Sequence, residues 1–335
     1  MDQKVRIGII GCGGFARLVH VPNMLASGRY HIVGTCDLDL DAAKEMQAQA
    51  EAQYATDDPQ KIFQDSSIQA VLITTRHDSH ASLSVQAAKA GKHILCEKPM
   101  GLNVAECRAV AEAVRQAGVV YTIGYNRGMA PLVMEAKRFL AQDQAKKLIY
   151  HRIQAPFSVS HWIHDARIGG GRFIGEGCHI FDLLCELVEA PPSSVYASGS
   201  TFLDPQIVKT TDSGIVTLTF ADGSVGTTLI ASDGCADFPK EATEIYWAGK
   251  AILIENYQRL SVYGVIPEGE YRVSLKEVDK GHRREIELFA DAILKGTPPP
   301  NGLKNAFRAA LISFLAVESA TTGKPMEVRE DDYAV

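Results

Sequence analysis

The first 125 residues alternate between short apolar runs and stretches of helical composition. The runs are apolar over most of their length, which is typical of strands that are buried on both faces. Five of them predict strands: "KVRIGII" at 4–10, "YHIVGTCD" at 30–37, "IQAVLITT" at 68–75, "HILCE" at 93–97 and "VVYTIGY" at 119–125. Their alternation with helices predicts a doubly wound α/β domain built on a parallel sheet.

The pattern changes after residue 125. Runs rich in β-branched and aromatic residues follow one another with few helices between them, which is typical of an antiparallel sheet. The Asp222-Gly223 pair lies between two such runs and predicts a two-residue hairpin turn. Helices are predicted only at about 176–188, 283–295 and 303–321. We therefore expect a doubly wound domain at 1–125 and an α+β domain at 126–335.

Charge and composition exclude several classes of protein. The net charge is −6 and no basic block occurs, so we expect neither nucleic acid nor an anionic membrane surface as a main partner. The chain has no apolar run of about 18 residues and no signal-peptide pattern, so the cytoplasm is the expected location. Seven cysteines without a C-x-x-C pair suit reduced thiols.

The segment "GIIGCGGFA", 8–16, carries a G-x-G-x-x-A pattern between the first strand and the first helix. Gly11 permits a sharp turn, Gly13 permits close approach of a pyrophosphate, and the helix N-terminus supplies free N–H groups. The pattern predicts a dinucleotide site, with a purely structural glycine turn as the alternative. The cofactor-binding residues predicted at this loop are Gly11, Gly13, Gly14, Phe15 and Ala16.

Asp37 ends the second strand, 26 positions after Gly11. A carboxylate at this place accepts hydrogen bonds from the ribose hydroxyls of an adenosine and repels a 2′-phosphate. No lysine or arginine occurs at 38–41 to bind such a phosphate. The sequence therefore favours NAD over NADP, with a solvated turn aspartate as the alternative.

Glu97, Lys98 and Pro99 end the fourth strand. Ligands of doubly wound sheets bind beyond the carboxyl ends of the strands, so this position suits an active site. The Lys98 ammonium can orient a substrate hydroxyl, stabilise negative charge on oxygen and relay a proton. Pro99 restricts Lys98 to extended conformations. A surface lysine in a loop is the simpler alternative.

A second polar group comprises Glu176, His179 and Asp182, whose spacing of three predicts one face of a helix. His179 suits a general base that takes a hydroxyl proton near neutral pH. A metal site that includes Cys178 and Cys185 is a weaker alternative, because no paired zinc-type spacing occurs. We expect no metal. A capping glutamate beside a packed histidine is the structural alternative.

Two further segments supply candidates. Thr75, His77 and His80 follow the third strand, near the expected position of a nicotinamide ribose. Trp162, in "SHWIHDARIGGG", precedes a glycine run and is a candidate for lining a substrate pocket. A structural or solvated role is an equally good interpretation for each histidine in these segments.

Taken together, these segments resemble the Gfo/Idh/MocA oxidoreductase family, which includes glucose–fructose oxidoreductase and inositol dehydrogenases. The resemblance covers nearly the whole chain, and "AGKHILCEKP" is its most specific part. It also rests on "GIIGCGGFA", "IGYNRGMAP", "GGGRFIGEGCHIFDLL" and "GLKNAFRAALISFLAVESATTGKPMEV". It implies an N-terminal Rossmann domain that binds the dinucleotide and a C-terminal domain with a large open sheet, which commonly forms a dimer or tetramer interface.

The resemblance also implies residue roles. Lys98 matches the family's active-site lysine and His179 its catalytic histidine. Gly175 stands where many members have an aspartate four residues before that histidine, so Glu176 is the candidate replacement. Gly128 stands where a second arginine often follows the one matched by Arg127. The cofactor set adds Thr75, His77, His80, Glu97, Lys98 and Pro99, and the substrate set is Lys98, Arg127, Trp162, Glu176 and His179.

The sequence thus predicts an NAD-dependent dehydrogenase that acts on a secondary alcohol of a cyclic polyol, sugar or sugar derivative. We expect the nicotinamide to take the hydride, His179 the hydroxyl proton, and Lys98 to polarise the oxygen. One alternative is a nucleotide-sugar or amino-sugar reductase that works in the opposite direction. Others are a catalytically idle dinucleotide-binding regulator and a metal-dependent enzyme. A homodimer or homotetramer through the C-terminal sheet is also expected.

Overall fold

A computed structural model describes residues 4–267 and 269–335. The chain divides into two compact units. The first comprises the residues up to Tyr125 with His282–Phe307 and Val335, and the second comprises Asn126–Gly281 and Arg308–Ala334. The change of sequence pattern after residue 125 coincides with the boundary between the units. The first three residues of the domain predicted at 1–125 lie outside the described part of the chain.

The first unit contains a six-stranded sheet in which every neighbouring pair is parallel. Its order is β3-β2-β1-β4-β5-β6, so the order reverses between β1 and β4. A doubly wound sheet is thereby confirmed, and its ligand site is expected where the order reverses. The strands are β1 Val5–Ile10, β2 Tyr30–Cys36, β3 Tyr54–Thr56, β4 Ala70–Ile73, β5 His93–Cys96 and β6 Tyr121–Ile123.

Three helices of the first unit begin at an Asp or Asn whose side chain caps the first turn, whereas two others have no side-chain cap. Asn103 accepts a hydrogen bond from the Glu106 N–H at the start of α5, and Gly118 ends that helix in the left-handed conformation. The helix after the glycine loop contains a π-helical stretch at Ala16–His20, which composition does not predict. The α-helices are α1 Val21–Ser27, α2 Leu40–Ala50, α3 Pro59–Gln64, α4 His77–Lys89, α5 Val104–Ala117 and α8 His282–Lys295.

The helix α8 follows the second unit in sequence but belongs to the first. It packs against α1 and β1, and Ile286, Phe289 and Ala290 join the core cluster of that sheet. The Tyr30 hydroxyl donates a hydrogen bond to the Ile286 carbonyl at 2.6 Å. An amphipathic pattern shows that a helix covers a sheet but not which one, so the sequence placed 282–307 in the domain at 126–335.

The second unit contains a nine-stranded sheet with the order β14-β13-β12-β11-β7-β10-β9-β8-β15. All its pairs are antiparallel except β7 with β10. The strands are β7 Leu148–Gln154, β8 Pro192–Ser200, β9 Ser213–Phe220, β10 Val225–Ala231, β11 Glu241–Trp247, β12 Lys250–Glu255, β13 Arg259–Tyr263, β14 Glu270–Ser274 and β15 Met326–Glu327. Its helices are α6 Pro131–Leu140, α7 Cys178–Val188 and most of α9, Leu303–Thr322.

The hairpin between β9 and β10 differs in detail from the prediction. Phe220 and Ser224 pair through the Phe220 N–H and the Ser224 carbonyl, so three residues form the turn instead of two. The Asp222 carboxylate accepts hydrogen bonds from the Ser224 N–H and hydroxyl, at 2.9 and 2.8 Å. These side-chain bonds stabilise the longer turn, in which Gly223 has a φ of +86°. No helix within residues 4–267 and 269–335 is long and apolar enough to cross a bilayer.

Candidate active site

The glycine loop has the geometry that a pyrophosphate requires. A Cβ at Gly11 would lie 2.6 Å from the Thr74 carbonyl carbon, and the φ of Gly11 is +98°, so only glycine fits there. Gly13 and Gly14 are exposed, and apart from the adjoining backbone no atom of the described residues lies within 4 Å of the position that a Cβ would take. A ligand can therefore approach the backbone at the start of the helix. These features fit a bound NAD, whose pyrophosphate Gly13 and Gly14 would hold.

Asp37 follows β2 and is bound to the glycine loop. Its Oδ2 accepts a hydrogen bond from the Cys12 N–H at 2.7 Å, and its Oδ1 accepts one from the Asp39 N–H at 3.0 Å. Each oxygen retains acceptor capacity for a ribose hydroxyl. Arg17, which sequence reasoning missed, is a cation bound to the same loop. Its Nε donates a hydrogen bond to the Cys12 carbonyl at 2.8 Å. That guanidinium also pairs with Glu45 at 2.5 Å.

The segment after β4 contains Thr75, His77 and His80. The hydroxyls of Thr75 and Ser79 lie 2.6 Å apart, and His77 is buried at the start of α4. His80 is fully buried, and burial lowers its pKa. Its Nδ1 lies 2.8 Å from the Pro99 carbonyl and its Nε2 3.1 Å from the Thr75 carbonyl. His80 therefore links this segment to the one that follows β5.

The segment Glu97-Lys98-Pro99 follows β5 directly, and the Lys98-Pro99 peptide is cis. Lys98 is half-buried, and its N–H donates to Glu97 Oε2 at 3.2 Å. Burial by itself would raise the pKa of Glu97, but the hydrogen bond from His20 and the charges of His20 and Lys98 hold it below its ordinary value. His20 Nε2 lies 2.8 Å from Glu97 Oε1. Sequence reasoning missed His20, which lies 77 positions from its partner.

In the second unit, Glu176 and His179 lie on two joined helical stretches. Glu176 belongs to a π-helical stretch at Phe173–Gly177, and His179 lies in the first turn of α7. Both side chains are buried, as is Asp182. A π-helical turn contains more residues than an α-helical turn, so the predicted spacing of three does not by itself define a shared face. Burial, with a further contribution from Glu186, raises the pKa of Asp182 well above its ordinary value.

Glu176 lies among cations that include Arg127. Its Oε1 lies 3.3 Å from Arg127 Nη2 and 4.0 Å from Lys240 Nζ, and its Oε2 lies 3.6 Å from Arg172 Nη1. Arg127 in turn donates to both oxygens of Glu241, at 2.7 and 3.1 Å. The guanidinium of Arg127 is thus engaged by two carboxylates in a buried ionic cluster. Sequence reasoning missed Glu241, 114 positions away.

The histidines around Trp162 have structural contacts. His161 Nδ1 accepts a hydrogen bond from the Ile163 N–H at 3.2 Å, and its ring stacks on the half-buried Trp162 at a centroid distance of 5.3 Å. His164 is buried, and burial lowers its pKa. The following glycine run packs closely against this turn, since a Cβ at Gly169 would lie 2.3 Å from the Ile163 Cα.

Gly128, where many family members have a second arginine, lies against the Glu186 carboxylate. A Cβ at this position would lie 2.3 Å from Glu186 Oε2, and Glu186 is paired with Lys137. A second arginine after Arg127 would require the Glu186 carboxylate to move. Across residues 4–267 and 269–335, no group of three or more His, Cys, Asp or Glu side chains is arranged to hold a metal ion.

Comparisons with known proteins agree over both units. A model described as "Oxidoreductase family, NAD-binding Rossmann fold" matches residues 5–125, and one described as "Oxidoreductase family, C-terminal alpha/beta domain" matches residues 138–328. The myo-inositol 2-dehydrogenase of Thermotoga maritima is 24% identical over 334 residues, which covers 97% of this chain and 99% of the relative.

Two further comparisons concern a sequence and a solved structure. The scyllo-inositol 2-dehydrogenase (NAD(+)) of Bacillus subtilis is 26% identical over 339 residues, covering 98% of this chain and 97% of the relative. A levoglucosan dehydrogenase solved with NADH and L-sorbose superposes with a TM-score of 0.88 at 23% identity, covering 98% of this chain and all of the other. At that identity the structural match supports the fold.

Proposed function

The chain belongs to the Gfo/Idh/MocA family of NAD-dependent oxidoreductases that act on CH–OH groups, and from this premise we propose that its substrate is a cyclic polyol, a sugar or a sugar derivative. The enzyme would oxidise a secondary alcohol of that substrate to a ketone. The inositol dehydrogenases among its relatives support this substrate class.

One observation within the first unit carries the proposal. The glycine loop follows β1, Asp37 follows β2 and Lys98 follows β5. Because these strands are parallel, all three features lie at the carboxyl-end edge of one sheet. The predicted dinucleotide site and the predicted reactive lysine therefore share the edge at which such sheets bind their ligands.

Each step has a candidate residue. Lys98 would hold the substrate oxygen and stabilise its developing negative charge, and His179 would accept the hydroxyl proton as a neutral imidazole. When bound, NAD supplies the hydride acceptor. Gly11, Gly13 and Gly14 would hold its pyrophosphate. The hydroxyl proton thus passes to His179 as the carbon–oxygen bond becomes a carbonyl.

Arg127 and Glu176 have a supporting role in this proposal. Arg127 is 4% exposed and donates to two carboxylates, so most of its donor capacity is engaged. We propose that it fixes Glu176 near the turn that carries His179 rather than binding a substrate by itself. Glu176 would then supply negative charge close to His179, in place of the aspartate that many family members have at the position of Gly175.

We also propose that the chain forms a homo-oligomer through the outer face of the nine-stranded sheet. Alternate residues of its strands leave large apolar side chains exposed: Leu148 at 56%, Ile215 at 48%, Tyr246 at 47% and Tyr196 at 45%. The strand register places them on the same face. An apolar surface of this kind is typical of an interface with another protein.

A substrate screen tests the proposed function. Purified protein is incubated either with NAD or NADP and a panel of inositols, aldoses and sugar acids, or with NADH and keto-sugar nucleotides, and the change in nicotinamide absorbance is followed. Saturable turnover with NAD and a cyclic substrate is the expected result. NADH binding without turnover of any compound would favour the idle regulator, and activity only with keto-sugar nucleotides and NADH would favour the reductase.

A further inference from the structure

His20 connects the helix after the glycine loop to Glu97 within the first unit. It ends the π-helical stretch at Ala16–His20, which directly follows the glycine loop. Short π-helical stretches are rare and occur frequently at functional sites. The side chain of His20 is fully buried, and its Nε2 lies 2.8 Å from Glu97 Oε1. The phenyl ring of Phe15 meets the imidazole edge-on, at a centroid distance of 5.1 Å.

The Glu97 carboxylate is held on several sides. One oxygen faces His20, and the other accepts the Lys98 N–H at 3.2 Å. Gly124, at the end of β6, leaves the space that the carboxylate fills, because a Cβ there would lie 2.8 Å from Glu97 Oε1. The Glu97 side chain is only 10% exposed. A carboxylate so enclosed is suited to fixing the backbone on which Lys98 lies.

We propose that His20 is a positioning residue for Lys98 and that it acts through Glu97. The chain of contacts runs from the helix of the glycine loop through the imidazole and the carboxylate to the Lys98 N–H. It joins the dinucleotide loop to the residue that holds the substrate oxygen. This inference rests on the proposed function, because it takes the role of Lys98 from there.

Energetic arguments favour positioning over simple packing. A buried carboxylate that loses its partner carries a large desolvation penalty, so Glu97 must move or protonate when His20 is removed. Either response changes the acceptor that the Lys98 N–H uses. A leucine at position 20 would fill much of the same volume and retain the apolar contacts, yet it would offer Glu97 no donor. If His20 only fills space, the His20→Leu variant should behave like the native chain. If His20 positions Lys98, the same variant should have a displaced Lys98.

The experiment compares variants by two readouts. His20→Leu removes the donor, His20→Asn is too short to reach Glu97, and His20→Gln retains a donor near the Nε2 position. Glu97→Gln tests the second link. His93→Leu is the matched control, because His93 lies on β5, the strand that leads to Glu97, and its Nδ1 accepts the Val120 N–H at 3.0 Å. Circular dichroism establishes that each variant is folded.

The first readout requires neither cofactor nor activity. Protein without NAD is treated with limiting acetic anhydride, and acetylation of Lys98 is measured by peptide mass spectrometry relative to the exposed Lys89. If His20 positions Lys98, acetylation of Lys98 is faster in His20→Leu, His20→Asn and Glu97→Gln than in the native chain. The His20→Gln and His93→Leu variants label at the native rate.

The second readout is kinetic. We expect kcat at saturating NAD and polyol to fall by about tenfold or more in His20→Leu, since part of the contribution of Lys98 is lost, with little change in the NADH Kd. The double variant His20→Leu/Glu97→Gln should be no slower than the slower single variant. Native Lys98 labelling and native kcat in a folded His20→Leu or His20→Asn chain would overturn the inference. If Lys98→Met retains full kcat, the proposed function fails, and the labelling result still decides whether His20 positions the lysine.

Discussion

Two lysines at opposite ends of β5 allow the role of Lys98 to be separated from stability. Lys92 is buried, and its Nζ donates to the Asp65 and Ile68 carbonyls at 2.7 and 2.8 Å. Lys98 is half-buried at the carboxyl end of the strand. Lys98→Met should lower kcat and kcat/KM together, by about 100-fold or more, because a transition-state contact is lost. Lys92→Met should lower Tm and leave kcat near the native value, and the reverse pattern would refute the assignment of Lys98.

The cofactor preference depends on a charge at Asp37. Asp37→Asn keeps an acceptor for the Cys12 N–H but removes the charge that repels a 2′-phosphate. We expect weaker NADH binding and tighter NADPH binding, which fluorescence titration measures. A charge-assisted hydrogen bond contributes about 1.5–3 kcal/mol net, so the ratio of the two Kd values should change by roughly tenfold or more. Asp39→Asn keeps its helix cap and serves as the control, and an unchanged ratio in Asp37→Asn would count against this role.

Glu176 and His179 can be tested by the pH dependence of turnover. If His179 accepts the proton, kcat/KM for alcohol oxidation rises with pH through one ionisation, and His179→Asn removes that ionisation. Glu176→Gln deletes a negative charge among Arg127, Arg172 and Lys240, so the surroundings become more positive. Protonation of a nearby imidazole then becomes less favourable, and the rising limb should move to lower pH. A native profile with normal activity would leave Glu176 as a structural residue.

At the level of single residues, sequence reasoning identified groups that stand beside a recognisable motif. Gly11, Asp37 and Lys98 each follow a strand end, so strand prediction alone placed them at one edge of the sheet. His20 and Glu241 were missed because their partners are distant in sequence, and no local pattern links them. Pairings of this kind are set by the packed fold.

The pairing of β7 with β11 encloses a histidine whose charge state affects stability. His151 lies opposite Thr243, and its Nδ1 is 2.9 Å from the Thr243 hydroxyl. Burial lowers the pKa of His151 to about 4, with Arg127, Lys280 and Arg152 adding to the effect and Glu241 opposing it. The unfolded chain therefore binds one more proton than the folded chain between about pH 4 and the ordinary histidine pKa of 6.5.

Stability should consequently fall as the pH is lowered from 6.5 towards 4, by roughly 3 kcal/mol from this group alone. His151→Gln keeps an amide partner for Thr243 and should remove that part of the slope, as urea unfolding at several pH values would measure. Arg127 holds the pKa of Glu241 below its ordinary value despite burial. The stability that the Glu241 carboxylate contributes is therefore lost only at more acidic pH. If the stability of His151→Gln depended on pH as it does in the native chain, this would contradict a buried, neutral His151.

Among the elements, the sequence predicted most of the strands and helices, but it missed the ten-residue helix α6 and several short or irregular elements. The runs 4–10 and 30–37 match β1 and β2 because their composition and length leave little choice. The short strand β3 and the π-helical turns carry no compositional signal. Strands β13 and β14 contain several polar residues; β13 pairs with β12, and β14 pairs with β13. Long-range pairing decides such elements.

For the whole molecule, the fold class could be predicted because two different patterns divide the chain. The assignment of α8 to the first unit could not, since its partners β1 and α1 lie more than 250 positions earlier. Within the nine-stranded sheet, the parallel pairing of β7 with β10 could not be predicted either, because strand composition does not distinguish parallel from antiparallel neighbours within a mixed sheet.

The outer face of the nine-stranded sheet gives a prediction for the whole molecule. Ile215 lies opposite Leu229 and Ser198 on this face, and it is 48% exposed. If the face is buried between copies of the chain, Ile215→Glu places a charge in an apolar contact and should shift the species seen by sedimentation velocity towards the monomer. Met134→Glu, at a similarly exposed position on α6, is the control and should keep the native sedimentation coefficient.

The Ile215→Glu monomer should still bind NADH, because the glycine loop and Asp37 belong to the first compact unit. This result distinguishes a broken interface from a misfolded chain. A glutamate on an exposed strand position costs little in an isolated subunit, so Tm measured at low protein concentration should differ little between Ile215→Glu and Met134→Glu. Because association stabilises the folded chain, the Tm of the native chain should rise with protein concentration, whereas the Tm of Ile215→Glu should not. An Ile215→Glu chain with the native sedimentation coefficient and the native dependence of Tm on concentration would remove this face from consideration as the interface.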